Sequence, residues 1–221
     1  MKVIDLVEKA LVLTSEPEIK TLLSDFLRAN TIAQNEKFDL SKYVSNQKND
    51  NQETLTGIFH ENGFRIATNG RILCVVDNDY PDEFEGKTVS PKGQIIEGQF
   101  PVWQNVLPKV DDLTGMIFTK NVENILQKIK EEQTVAKAKG ADVFVKIVHE
   151  EQTVCFDAKM FVLFLKFVKT YRKTDVGIKY CGSQSNIFAK DKNGNLCLLM
   201  CREVNDCEHI VELNYIKINI N

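Results

Sequence analysis

The sequence predicts a mixed α+β fold, and three observations carry that prediction. Apolar residues recur with helical spacing in two segments, from Asn121 to about Lys139 and from Asp157 to Lys173. Short alternating apolar runs typical of strands lie around these segments. Asn-Gly pairs, which accept the positive φ angles of tight turns, separate several of the runs. The resulting order is strand–helix–strand–strand, then helix–strand–strand–strand, so a βαβββ-like unit occurs twice, with the first strand of the second unit shared or displaced.

Residues 1–35 predict a helical hairpin ahead of this α+β part. Two apolar helical faces occur there, one from Val3 to Leu11 and one from Ile19 to Leu27. Ser15 can cap the second helix, and Pro17 falls in its first turn. The hairpin is either a packing element or a surface for a partner.

Residues 36–112 predict an antiparallel meander. Its strands are expected at residues 54–59, 64–67 and 71–77, with a short edge strand at 87–90. Asn62-Gly63 and Asn69-Gly70 supply the tight turns between them. Pro101 and Pro108 predict an extended connector at the end of this domain, because the residue before a proline favours extended backbone.

Residues 113–221 predict a further domain that carries the two helices. Its strands are expected at residues 115–118, 142–149, 153–156, 175–180, 185–190 and 196–201. The tail from His209 to Ile220 alternates loosely and predicts one more strand. We therefore expect a hairpin, a short domain and a larger domain in that order.

Length, charge and hydropathy exclude some broad classes of protein. A chain of 221 residues can bury a substantial core in one large or two small domains. Its formal net charge of −3 argues against a generally basic nucleic-acid binder but is compatible with a local basic face. The first residues acquire charges too early for a signal peptide, and the longest apolar run, Met160–Leu165, is too short to span a bilayer. These features predict a soluble, cytoplasmic protein.

Two short segments carry a resemblance to a known family. The first is the turn Ala67-Thr68-Asn69-Gly70-Arg71-Ile72-Leu73, and the second runs from Phe100-Pro101 through Trp103 to Val106-Leu107-Pro108. They resemble the Ala-Thr-Asp-Gly-His-Arg-Leu turn and the Phe-Pro-Asp-Tyr-x-x-Val-Leu-Pro segment of the bacterial DNA sliding clamp, the ring-shaped beta subunit of the replicative polymerase. The twice-used βαβββ unit is also how that family builds each domain. The resemblance implies a DNA-clamp-like fold with antiparallel sheets and helices on one face.

One departure from the family pattern lies inside the first domain. In the family, a helix and two strands separate a Pro-x-Lys-Gly piece from the Phe-Pro piece. Here Gln94 alone separates Gly93 from Ile95. The resemblance therefore implies an abbreviated first domain. Two domains per chain would allow a ring of three subunits, and a monomer or a dimer stays equally open.

The segment from Asp157 to Lys173 has a lysine-bearing face. At 100° per residue, its four lysines fall within about 80° of arc, opposite an apolar side. They are Lys159, Lys166, Lys169 and Lys173. Lysine side chains are flexible point charges that suit phosphates without base reading, and a solvated lysine face is the alternative. The resemblance implies contact with duplex DNA here, with Lys128 at the margin of the nearly neutral companion helix.

The resemblance also implies a cleft between consecutive domains that accepts short linear peptides of partner proteins. The positions that correspond to its walls are Thr68, Gly70, Arg71, Ile72, Pro101, Val106, Leu198 and Met200. The lining of Met and aliphatic residues suits adaptable peptide recognition. The alternative interpretation is that these residues simply seal a contact between domains.

Neither a metal site nor a catalytic site is predicted. Cys197, Cys201, Cys207 and His209 have spacings that fit no usual zinc-ligand pair, so core packing is the favoured interpretation of Cys197 and Cys201. The sequence contains no Gly-rich phosphate loop and no nucleophile motif. We expect no cofactor and no enzymatic activity.

These observations predict a DNA-associated processivity or scaffold protein of sliding-clamp type. Its expected partners are duplex DNA without sequence specificity and linear peptide motifs of replication or repair proteins; further copies of the chain are a third candidate, and no membrane is expected. The alternative is a clamp-fold interaction module that neither encircles nor binds DNA. A third alternative, an enzyme, would need a deep pocket with clustered acids or histidines.

Overall fold

The structure is a computed structural model. Apart from isolated positions nearer the N-terminus, it describes residues 38–46, 53–77, 84–149, 152–171, 174–180, 185–202 and 209–218. The chain divides into one compact unit of residues 1–39 and 78–83 and a second of residues 40–77 and 84–221. All elements named below belong to the second unit. The predicted helical hairpin at 1–35 lies outside the described residues.

Within the described ranges the chain forms twelve strands and two α-helices. In chain order they are β1 Ile58–Glu61, β2 Phe64–Thr68, β3 Ile72–Asp77, β4 Thr88–Val89, β5 Ile95–Ile96, β6 Thr114–Phe118, α1 Val122–Ala138, β7 Phe144–His149, β8 Gln152–Asp157, α2 Ala158–Thr170, β9 Asp175–Lys179, β10 Asn186–Lys190, β11 Leu196–Met200 and β12 Ile210–Ile218. This order confirms the predicted α+β arrangement.

All twelve strands belong to one sheet, in the order β5-β4-β1-β2-β3-β11-β10-β9-β6-β12-β7-β8. The sheet passes without a break from the strands before residue 112 to those after it, and the domain boundary predicted there stays a prediction. Neighbouring strands are antiparallel except for β12 and β7, which are parallel with Ile210 opposite Phe144. The antiparallel pairing that the resemblance implies is therefore present, with this parallel pair as an exception. β12 lies between β6 and β7, which run in opposite directions. It must therefore be parallel to one of them, and that strand is β7.

The strand predicted at residues 54–59 begins later than expected. Glu53–Thr56 is a 3₁₀ helix, in which the Thr56 hydroxyl donates to the Glu53 carbonyl at 2.7 Å. This turn directs Leu55 into the core. One buried residue between two threonines is compatible with a single helical turn and with a strand. The alternation of apolar and polar residues therefore could not distinguish the two structures.

The connector predicted to be extended also contains 3₁₀ turns, at Trp103–Val106 and Val110–Asp112. The indole Nε1 of Trp103 donates to the carboxylate of Glu61 at 2.9 Å, and the Gln104 amide donates to the same oxygen at 3.1 Å. These two bonds attach the connector to the end of β1.

The two helices lie side by side, antiparallel, and pack on the sheet. Lys169 near the end of α2 pairs with Glu123 at the start of α1, while Lys159 at the start of α2 pairs with Asp142, which follows α1. The N-caps Asn121 and Asp157 accept bonds from the first backbone amides of the helices, which explains where both helices begin. The helices bury an apolar face against the sheet, made of Ile125, Ile129 and Ala136 from α1 and Phe161, Phe164, Leu165 and Phe167 from α2.

Candidate functional site

The eight residues predicted to form the peptide cleft line one cavity of about 220 Å³. They come from the turn between β2 and β3, from the Phe-Pro connector and from β11. The structure thus brings together three segments that are far apart in the sequence. Their role in binding a peptide stays a prediction.

Pairing between β3 and β11 builds the floor of this cleft. Leu73 lies opposite Leu198 in the antiparallel ladder. At the end of the ladder, the backbone N–H of Met200 donates to the carbonyl of Arg71 at 2.9 Å. The turn that carries Arg71 is therefore attached directly to the end of β11.

Asn69 fixes the conformation of that turn. Its side-chain oxygen accepts from the backbone amides of Arg71 and Ile72 at 3.0 and 3.1 Å, and its amide nitrogen donates to the sulfur of Met160 in α2 at 3.3 Å. Gly70 adopts a φ of +82°, which a side chain would strain. Asparagine in place of the family's aspartate keeps the acceptor of the turn and adds a donor toward α2.

Sequence reasoning missed five further residues of the lining. They are Leu55, Leu73, Phe100, Val102 and Trp103. Trp103 is the single tryptophan of the chain, and the ring of Phe100 stacks on Phe59 with centroids 4.9 Å apart. Phe100 and Trp103 lie within the segment that carried the resemblance, so the sequence could have identified them as lining residues. Leu55 could not be identified in this way, because its segment was predicted to be a strand.

The rim of the cleft presents apolar side chains to solvent. Val106 is 53% exposed and Val102 is 57% exposed. The lining below them is aliphatic and aromatic apart from Thr68 and Arg71. An open, mostly apolar concavity of this kind suits an apolar guest with a few polar groups.

The lysines predicted on α2 lie on its solvent side. Lys159 and Lys169 form exposed ion pairs with Asp142 at 3.7 Å and Glu123 at 2.9 Å. Lys166 is exposed, and its side chain has no ion-pair partner among the described residues. Lys173 lies outside the described residues.

Lys128 is exposed on α1 and has a second cation beside it. Contact with Lys128 lowers the pKa of Lys120 below its usual value, because two adjacent ammonium groups disfavour each other's charge. Lys120 was not among the residues predicted to contact DNA. It lies in the bend just before α1.

The packing interpretation holds for Cys197 of β11, whereas Cys201 lies just beyond β11 and is only half-buried. Cys197 is buried and lies directly opposite Cys74 of β3, and burial raises the pKa of the Cys74 thiol. Cys207 lies outside the described residues.

His209 is buried and its Nδ1 lies 2.6 Å from the carboxylate of Glu132, which fixes the ring.

Metal-ligand clusters and membrane-spanning helices are both absent from the described ranges. These ranges contain no cluster of three or more His, Cys, Asp or Glu side chains able to hold a metal ion. Neither of their α-helices is long and apolar enough to cross a membrane.

Comparison with known proteins identifies the fold. No protein-family model matches the sequence, and no curated protein matches it. A sliding clamp from Bartonella birtlesii, solved with griselimycin bound, matches with a TM-score of 0.56 and 15% identity over 77% of this chain. The Caulobacter crescentus clamp matches with a TM-score of 0.56 and 13% identity over 77%. The DNA polymerase III subunit beta of Pseudomonas aeruginosa matches with a TM-score of 0.54 and 14% identity over 78%.

This chain spans 65%, 64% and 65% of the length of those three clamps, respectively. At such low identity the likeness establishes the fold alone. The chain has the clamp-like fold of the bacterial DNA polymerase III beta subunits, as the two sequence segments indicated.

Proposed function

We propose that the protein is a non-enzymatic clamp-fold scaffold that holds short apolar segments of partner proteins in the cleft between β3, β11 and the Phe-Pro connector. The observation that carries this proposal is that the eight positions predicted as cleft walls, which come from three segments far apart in the sequence, line one mostly apolar cavity. The cleft has an exposed apolar rim and a fixed turn at one end, which favours a guest that binds without large rearrangement.

The partners we propose are linear peptide motifs of replication or repair proteins. Support comes from the similar Caulobacter crescentus clamp, whose structure holds polyethylene glycol at a proposed β-motif tethering region. An extended peptide with two or three apolar side chains matches a cavity of about 220 Å³ that is open to solvent.

Peptide binding can be measured through Trp103, because the only tryptophan of the chain lines the cleft. Peptides selected from a displayed random hexapeptide library are expected to change its fluorescence. Val106→Asp should weaken their binding about tenfold or more, since a carboxylate on the rim would be desolvated by an apolar guest.

Val135→Asp is the matched control, because Val135 in α1 is as exposed as Val106, at 52% against 53%. Equal affinities of the two variants would contradict the cleft as the binding site. A library that yields no peptide able to change the Trp103 signal would contradict peptide binding itself.

We also propose that the lysine-bearing side of α2 and α1 contacts duplex DNA. Lys166 is exposed without an ion-pair partner among the described residues, and Lys120 lies beside Lys128. The ion pairs of Lys159 and Lys169 are exposed. Exposed pairs contribute little stability, so phosphates can compete for both lysines. The alternative function is a clamp-fold interaction module without DNA contact.

Lys166→Gln is expected to weaken binding to a labelled duplex a few-fold and to lower the slope of log K against log salt by about 0.9, the value of one lost phosphate contact. Fluorescence anisotropy between about 50 and 200 mM salt measures both quantities. The control is Lys190→Gln, which removes the same charge from an exposed position at the end of β10. If both variants change the slope equally, the helix face is not the contact. If the unmodified protein does not bind duplex, the interaction module is the correct alternative.

A further inference from the structure

We propose, on the basis of the proposed peptide-binding function, that the cleft selects peptides that carry an aspartate or glutamate beside their apolar anchors. A second cavity of about 120 Å³ adjoins the cleft and shares Arg71 and Met200 with it. Arg202 lines the same small cavity, so two of its seven lining residues are arginines. A guest that fills the apolar cleft therefore has a cationic cavity within reach of its next residue.

The charges in this small cavity do not cancel. Its single carboxylate is Asp157, which accepts from the backbone amides of Lys159 and Met160 at 2.8 and 3.2 Å as the N-cap of α2. The other oxygen of Asp157 lies 3.8 Å from Arg202. Arg71 has no ion-pair partner within the described part of the chain. One guanidinium thus remains uncompensated where the cavity meets the cleft.

The fold holds the backbone of Arg71 and the side chain of Arg202 in place. The backbone of Arg71 is fixed by Asn69 and by the N–H of Met200. The guanidinium of Arg202 lies over the ring of Phe144, 5.5 Å from its centroid, and its backbone N–H donates to the carbonyl of Cys155 at 2.9 Å. The contact of Arg202 with Phe144 lowers the entropy lost when an anion binds, and arginine recognises carboxylates through paired N–H donors.

The charged groups around the cleft give the guest a direction. The small cavity that holds Arg71 and Arg202 is also lined by Asp157, the N-cap of α2, and by Met160 of α2. At the connector, the carboxylate of Glu61 accepts from the indole of Trp103, so a peptide carboxylate beside that bond would meet a negative group. The acidic residue of a bound peptide should therefore lie on the α2 side of its apolar anchors.

The test uses one peptide selected from the hexapeptide library and three synthetic versions of it, with Asp, Asn or Lys at the position that flanks its apolar residues. Trp103 fluorescence gives the dissociation constants. In the unmodified protein the Asp version should bind about tenfold more tightly than the Asn version, a typical gain for a charge-assisted hydrogen bond. In Arg71→Gln this ratio should fall to about one. The ratio of the two affinities is the readout, because Arg71 also lines the cleft and its replacement can change the affinity of every version alike.

Lys190→Gln is the control, and it should leave the Asp-to-Asn ratio unchanged. The inference is overturned if the unmodified protein binds the Asp and Asn versions equally, or if the ratio survives in Arg71→Gln. Either result would leave the proposed peptide-binding function standing. Failure of every version to change the Trp103 signal would overturn both.

Discussion

Phe161→Ala is expected to lower the free energy of unfolding by about 3–5 kcal/mol, the usual cost of removing a fully buried phenylalanine. The ring of Phe161 is inaccessible to solvent and lies against Phe118, Phe156 and Phe164, with centroids 6.1, 5.8 and 6.0 Å away. Truncation would leave a cavity between α2 and the sheet that neighbouring rings cannot close. Urea denaturation followed by circular dichroism measures the change.

The control is Lys166→Ala on the solvent side of the same helix. It should change the free energy of unfolding by no more than about 0.5 kcal/mol, since alanine is at least as good a helix former and no packing is lost. Similar values for the two variants would contradict the packing of α2 on the sheet. The contrast also separates loss of stability from loss of DNA contact, because only Phe161 is part of the core.

Asn195→Ala is expected to lower the free energy of unfolding by about 2–4 kcal/mol, because it removes several hydrogen bonds to buried or charged groups at once. The Asn195 side-chain oxygen accepts from the backbone N–H of Asp77 at 2.7 Å. Its amide nitrogen donates to the carboxylates of Asp77 and Asp191 at 3.1 and 2.9 Å. Without it, the carboxylates of Asp77 and Asp191 would lose the amide group that bridges them.

Asn193→Ala is the matched control in the same turn. Asn193 is exposed, and its bond to Asp191 uses the backbone N–H, which alanine retains. We expect a change within about 0.5 kcal/mol for it, again by urea denaturation. If Asn195→Ala were equally mild, the bonds between β3 and the β10–β11 turn would not contribute to stability.

The helices and most strands were predictable because their signals are local. Asn121 and Asp157 stand where a capping residue is expected, and the observed helices begin one residue later. The Asn62-Gly63 turn has positive φ at both residues, as predicted. The parallel pairing of β12 with β7 was not predictable, because register between distant strands depends on neighbours that no short window contains.

The candidate cleft was predictable only in part for the same reason. The family-like motifs named eight lining positions, and β3–β11 pairing joins the segments that carry them. Lys159 and Lys169 form ion pairs with Asp142 and Glu123, which are not part of α2. The spacing of the lysines along α2 therefore predicted more unpaired positive charge on that face than the structure has. The arginines beside the cleft likewise come from segments that meet only in the folded chain.

The ladder between β3 and β11 also bears on the order of folding. It is the point where the sheet's first five strands join the remaining seven, and its contacts link residues 118 positions apart, as between Asp77 and Asn195. Contacts of such long sequence separation carry a large loop-closure cost and tend to form slowly. The first meander can pair within itself before β11 is in place, but its cleft then lacks a wall. A ligand of the cleft therefore recognises a chain in which β3 and β11 are already paired, and its binding would stabilise that pairing.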